Sequence, residues 1–123
     1  MERDPHLVRA LLLHFEAKPD DQPERHPQIS SYTAIEVGYH LILMNEAGLI
    51  RCESETTSTG RVIRVLPFSL TWKGHEFLDA ARNDRLWRKA LTISGKKLGS
   101  ISFEMLQTLL VKLAEKAISG SVA

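Results

Sequence analysis

Residues 69–79 read SLTWKGHEFLD. Just upstream, residues 61–70 read RVIRVLPFSL, a run rich in β-branched and apolar side chains. A strand ends here and a helical pattern begins. Thr71 (or Ser69) is placed to cap that helix, since a hydroxyl before a periodic apolar segment accepts from the first free backbone amides. The spacing predicts Trp72, Phe77, Leu78 and Ala81 on one side of the helix. Reading outward from this junction orders the rest of the chain.

Upstream, the tip ESETTSTG (residues 53–60) has no large apolar residue. It separates residues 61–70 from Leu49 and Ile50, where another strand-like run begins. Two strands around a polar tip predict a β-hairpin, and Pro67 marks an edge or the end of pairing because it cannot donate to a ladder. Before the hairpin, residues 33–47 predict a helix that Gly48 terminates as a left-handed cap. Residues 18–31, KPDDQPERHPQISS, hold three of the five prolines and predict an exposed loop, in which residues 28–31 are open to one short strand. Asp4 then Pro5 predicts a capped helix start. Leu7, Val8, Leu11, Leu12 and Phe15 give that helix a single apolar stripe.

Downstream, Asn83 and Asp84 break and restart the helix. Leu86, Trp87 and Leu91 predict a short fourth helix running towards Gly95, and Gly95, Gly99 and Ser100 predict a turn. Ser102 is placed to cap a last helix with Leu106, Leu109, Leu110, Leu113, Ala117 and Ile118 on one side. That stripe must cover something, either its own domain or a second copy.

The chain has 123 residues, 43% hydrophobic and 25% charged, with a net charge of +1. This suits a soluble globule able to bury a core. The balance of charge argues neither for nor against nucleic acid. The single cysteine, Cys52, excludes an intramolecular disulfide and a cysteine zinc site, and the natural setting is reducing and cytoplasmic. MERDPHLVRALLLHFE does not read as a signal peptide, because Arg9, His14 and Glu16 interrupt its apolar core. No run reaches the roughly 18 apolar residues needed to span a bilayer.

The order of a helix ending in A-G-L-I, a hairpin, and L-T-x-x-G-x-x-F-L resembles a winged helix. The expected fold is therefore α+β, mainly α: a winged helix-turn-helix with a two- or three-stranded wing sheet and extra C-terminal helices. The winged-helix domain covers residues 1–83 and the helical extension residues 84–123, in one compact unit. The sequence is also similar to a phage- and prophage-associated bacterial family without an established activity. The similarity rests on Arg3, Asp4, Leu7, Val8 and Arg9, on His40, Leu41, Ala47, Gly48 and Leu49, and on L-T-W-x-G-H-E-F-L-D with Arg82. It implies the winged-helix fold, in which the helix before AGLI enters the major groove.

The residues of that helix are unusual for a base reader. With Leu41 inward, Ala34, Val37 and Met44 turn inward too. Tyr32, Glu36, Tyr39, Leu43 and Glu46 face outward, with Ile35 beside them, and none is the Arg, Lys, Asn or Gln that reads base edges. Candidate DNA contacts are Ser31 and Thr33 at the helix start, Thr57, Ser58, Arg61 and Arg64 on the wing, and Arg85, Arg88 and Lys89 beyond it. Residues 82–97 hold Arg82, Arg85, Arg88, Lys89, Lys96 and Lys97 against Asp84, six minus one, or +5. The wing groups also read as a solvated turn, and basic residues on a helix such as those of 82–97 are more often a solvated face.

The five histidines show no ligand spacing, so no metal site is expected. His40 lies at the margin of the inward side and is expected half-buried. Neither GRVIRV nor GKKLGS matches a phosphate-binding loop. With no nucleophile–base–orienter set, neither enzyme activity nor a cofactor is expected. Two readings follow. One is a DNA-binding regulator of phage or prophage type, with duplex DNA as partner and a homodimer through residues 102–118. The other is a protein-interaction module on the same scaffold. Neither involves a membrane.

Overall fold

The computed structural model describes residues 1–98 and 102–122. It is an α+β structure, mainly helical, with five helices and one two-stranded antiparallel sheet among the described residues. The chain divides into two compact units, Met1–His75 and Glu76–Ala123.

The first unit begins with α1, Pro5–Glu16. Asp4 is its N-cap, and the carboxylate accepts from the His6 amide at 2.9 Å. Leu7, Val8, Leu11, Leu12 and Phe15 are all buried, as their spacing predicts. Each large apolar side chain taken from water in this way contributes about 1.5–3 kcal/mol. The connection to α2 is irregular and contains no strand at residues 28–31. Instead, the Tyr32 amide donates to the Ile29 carbonyl in a turn, with Ser31 at φ 74°. The connection is nevertheless tied down. Lys18 Nζ donates to the carbonyls of Phe68 and Gln22, the Glu24 amide donates to the Pro67 carbonyl, and His14 pairs with the Glu24 carboxylate at 2.8 Å.

Helix α2, Ala34–Glu46, starts with a full capping box. Thr33 Oγ1 accepts from the Glu36 amide and Glu36 Oε1 accepts from the Thr33 amide, so two orphan donors are answered at once. The helix ends at Gly48, φ 74°, in a Schellman arrangement. Its Gly48 and Leu49 amides donate to the Asn45 and Met44 carbonyls. Val37, His40, Leu41 and Met44 are buried, whereas Ala34, expected inward, is exposed. Ala34 lies in the first turn, ahead of the segment that the core covers.

Strands β1, Ile50–Thr56, and β2, Val62–Leu70, form the hairpin, with register irregularities between Arg51 and Cys52 and between Glu55 and Thr56. The hairpin hands over to α3, Trp72–Ala81, through Thr71. Thr71 Oγ1 accepts from the Gly74 amide at 3.0 Å and donates to the Gly48 carbonyl, while the Thr71 amide donates to the Leu49 carbonyl. Gly74 is obligatory here, because a Cβ would stand 2.1 Å from the Leu49 carbonyl oxygen. The opening junction is therefore a clasp joining the end of α2, the start of β1 and the first turn of α3.

Within α3, Gly74, Phe77, Leu78 and Ala81 are buried, but Trp72 is 79% exposed. The expectation that Trp72 lines the buried side is corrected by helical geometry. It stands five positions before Phe77, which places it well off the stripe formed at spacings of three and four.

The second unit continues with α4, Asp84–Leu98. Asn83 caps it, its side-chain oxygen accepting from the Leu86 amide at 3.0 Å. The helix passes through Gly95 to Leu98 and is longer than the spacing predicts. Gly95 does not adopt the left-handed conformation of a helix stop, and Ser94 Oγ bonds back to the Ala90 carbonyl. The rest of the expected turn, Gly99 and Ser100, lies outside the described residues. Helix α5, Phe103–Val122, is capped by Ser102 and packs against α4. Phe103 stacks on Phe77 with ring centroids 3.9 Å apart. Leu106 and Leu110 are buried. Leu109 and Leu113 are only half-buried, and Ala117 and Ile118, expected on the same side, are exposed. The inward stripe thus stops before the last turns of the helix.

Candidate functional site

A groove of about 970 Å³ lies in the first unit. Its long side is α2, where Ala34, Ile35, Gly38, Tyr39 and Ile42 line it together with the buried Val37 and Leu41. Residues 25–30 form one wall, and residues 63–65 of β2 form another. Ile35 is 73% exposed and Ile63 49% exposed. The surface is therefore apolar and open. Ala34, Gly38 and Ile42 recur every four residues, in a single row along the helix.

A polar network anchors the helix that carries this face. Asp4 accepts from the Tyr32 hydroxyl at 2.8 Å. The Asp4 amide donates to His40 Nε2, and His40 Nδ1 donates to the Glu36 carbonyl, both at 2.8 Å. This fixes the tautomer: Nδ1 carries the proton and Nε2 accepts. His40 is only 2% exposed, so the half-buried histidine expected at the margin is instead a fully satisfied core group. Burial, and after it the bond to Asp4, pushes the Tyr32 hydroxyl up to about 12.

The charged lining of the groove is basic, but a smaller adjoining hollow sets Glu53 and Glu55 beside Arg25 and Arg64. Met1, Arg25, His26 and Arg64 are among the groove's lining residues, and no Asp or Glu is among the described ones. Arg64 is answered on the strand by Glu55 at 2.9 Å, which leaves the exposed Arg25 as the main cation of the rim.

The residues expected to contact DNA fall in three places. Ser31 and Thr33 stand at the entry to α2, with Thr33 engaged in the capping box. Thr57, Ser58 and Arg61 form the hairpin tip. There Thr57 Oγ1 accepts from the Arg61 amide and bonds Thr59 Oγ1, and the Thr57 amide donates to the Arg61 carbonyl. The tip is thus a built turn. Arg64 pairs with Glu55 behind it. Arg85, Arg88 and Lys89 belong to the second unit and are exposed along α4 at spacings of three and four, on one face. The side chains of Lys96 and Lys97 lie outside the described residues.

The lack of base readers on α2 is legible in the sequence, but the groove is not. Its walls come from residues 25–30 and 63–65, far from α2 in the chain. The available signal was Gly38, a glycine inside a helix with no turn to explain it.

Cys52 bonds Asn45 Oδ1 at 3.1 Å, and burial pushes its thiol above the usual range, away from nucleophile chemistry. Among the described residues no group of three or more His, Cys, Asp or Glu is placed to hold a metal ion. No described helix is long and apolar enough to cross a membrane.

No solved structure matches the chain. An uncharacterized protein of Haemophilus influenzae (strain Rd) is 30% identical over 124 residues, covering 100% of both chains. The model of the family described as "Hypothetical protein (DUF2513)" matches residues 2–100. The chain therefore belongs to the DUF2513 family.

Proposed function

We propose that this chain is a protein-interaction module that takes a partner segment in the groove along α2. The carrying observation is the chemistry of that face. Where a DNA-reading helix presents Arg, Lys, Asn or Gln, α2 presents Ile35, Gly38, Tyr39 and Ile42 to an open apolar concavity. Apolar hollows with a few polar groups at the rim are the usual form of a binding site. The scaffold is of winged-helix type, a reading supported by the order α2, hairpin, α3 and by the Thr71–Gly74 clasp that joins them. The similarity of residues 70–79 to a phage-associated family supports a phage or prophage setting, and the single cysteine supports a cytoplasmic one.

A random-peptide display library panned on the wild type and on Gly38→Leu tests this reading. Peptides enriched on the wild type are expected to lose binding to Gly38→Leu. Failure to enrich any peptide whose binding depends on residue 38 would overturn it.

A second reading, a DNA-binding regulator, is favoured by one observation: Arg85, Arg88 and Lys89 form an exposed basic face on α4. Each phosphate neutralised by such a face steepens the salt dependence of binding by about 0.9 in log–log slope. On this reading a random duplex shifts at low salt, and reversing charge at the three positions abolishes the shift. A homodimer through residues 102–118 belongs with it, supported by exposed Met105, Val111 and Ile118. Light scattering gives twice the chain mass if that dimer forms.

A further inference from the structure

We infer that the occupant of the α2 groove is an amphipathic helix of another protein, apolar on one side and carrying carboxylates beside it. This rests on the interaction-module reading above and specifies the partner it would take.

The first argument is Gly38. Glycine weakens a helix interior, and it is kept where the backbone bends unusually or something comes close. Neither holds within this chain. Gly38 sits inside α2 without a positive φ, and a Cβ added there meets nothing within 4 Å. The missing side chain leaves room on the groove side, next to Ala34 one turn before it. A shallow stretch between Ile35, Tyr39 and Ile42 allows a second backbone to lie close, as helix-in-groove recognition requires. From Ala34 to Ile42 the helix rises about 12 Å, enough to seat roughly two turns of a partner helix.

The second argument is charge. Arg25 stands exposed on the rim as its main cation; Glu53 and Glu55 line the smaller hollow beside it, and Glu55 already answers Arg64. No carboxylate belongs to the described lining residues of the groove itself. A partner with acidic groups flanking its apolar stripe meets attraction at the wall of residues 25–30. A basic partner meets repulsion there, and a phosphate backbone finds an apolar floor with no hydrogen-bond donors from α2 side chains other than the Tyr39 hydroxyl. Complementary charge sets partner choice more than total affinity.

The test uses three synthetic helical peptides of about 16 residues. One has leucines at i, i+3, i+4 and i+7 with glutamates elsewhere, one has lysines in place of the glutamates, and one has the glutamate sequence scrambled. Fluorescence anisotropy with the full chain is expected to show saturable binding of the glutamate peptide alone, weakened by salt. Arg25→Glu is expected to weaken it roughly tenfold, and Gly38→Leu to abolish it. Ile35→Glu, at an exposed position, is a second groove variant that leaves the core untouched and is also expected to weaken binding. Equal binding of the lysine peptide, or no saturation by the glutamate peptide, overturns the inference. If that happens while library peptides still depend on Gly38, the module reading stands and only the partner chemistry is wrong. Self-association of the wild type that Gly38→Leu removes would assign the groove to a second copy and overturn the inference as well.

Discussion

Gly38 and Gly74 are both helical glycines, yet they serve opposite ends. A Cβ on Gly74 meets the Leu49 carbonyl oxygen at 2.1 Å, and the obstacle is backbone, so nothing nearby yields without moving the clasp. Gly74→Ala is expected to destabilise the fold by about 3 kcal/mol. A Cβ on Gly38 meets nothing, so Gly38→Ala is expected to stabilise it by about 0.5–1 kcal/mol through helix propensity alone. Urea denaturation of the two variants beside the wild type measures both. Tyr32 gives a pH-dependent prediction. Its hydroxyl is raised from 10.0 to about 12, first by burial and then by its bond to Asp4, so the folded chain favours the neutral phenol. The stability this brings is fully present below pH 10 and is lost as the pH rises through about 12. Tyr32→Phe is expected to remove that late loss of stability, along with the late phase of the tyrosinate absorbance titration.

At the scale of elements, the clasp at the end of α2 holds the hairpin and the first turn of α3. Thr71 makes three of its hydrogen bonds, two through the hydroxyl. Thr71→Val keeps the shape and loses both hydroxyl bonds, and is expected to cost about 1–2 kcal/mol in thermal or urea unfolding. Most elements were legible in the sequence because they depend on local chemistry. Asp4, Thr33 and Ser102 mark helix starts through side chains that reach their own backbone, and Gly48 marks a stop through its φ. The stripe from Leu7 to Phe15 needs only a period of 3.6. Failures came where one residue type permits two outcomes. Glycine at position 95 predicts a turn, but glycine also sits inside helices, and α4 runs through it to Leu98. The apolar pattern sets Trp72 on the side of Phe77, although five positions along the helix turn it well away. Ala34 and Ile118 continue their stripes by period but lie near the ends of their helices, where little remains to pack against.

At the scale of the molecule, the site was the least legible part. The groove needs residues 25–30 and 63–65 brought beside α2, and no local pattern encodes that meeting. What fixes it are long-range bonds: Lys18 to Phe68, the Glu24 amide to Pro67, and His14 to Glu24, which hold the connection against α1 and β2. The absence of base-reading side chains on α2 was visible in the sequence, but not what takes their place. The basic face of α4 was visible as composition and is an exposed row on a solvated helix. Charge reversal at Arg85, Arg88 and Lys89 is therefore expected to change thermal stability by no more than about 0.5 kcal/mol. Differential scanning calorimetry checks this before any binding comparison is made.

Amide chemical-shift mapping of the isotope-labelled chain, titrated with the glutamate-rich helical peptide, tests the central claim most directly. Shifts are expected to concentrate in residues 34–42, 25–30 and 63–65, while the hairpin tip at 57–61 and residues 85–89 stay still. Shifts centred on residues 85–89 or on the hairpin tip, with Gly38 and its neighbours unmoved, would contradict the account.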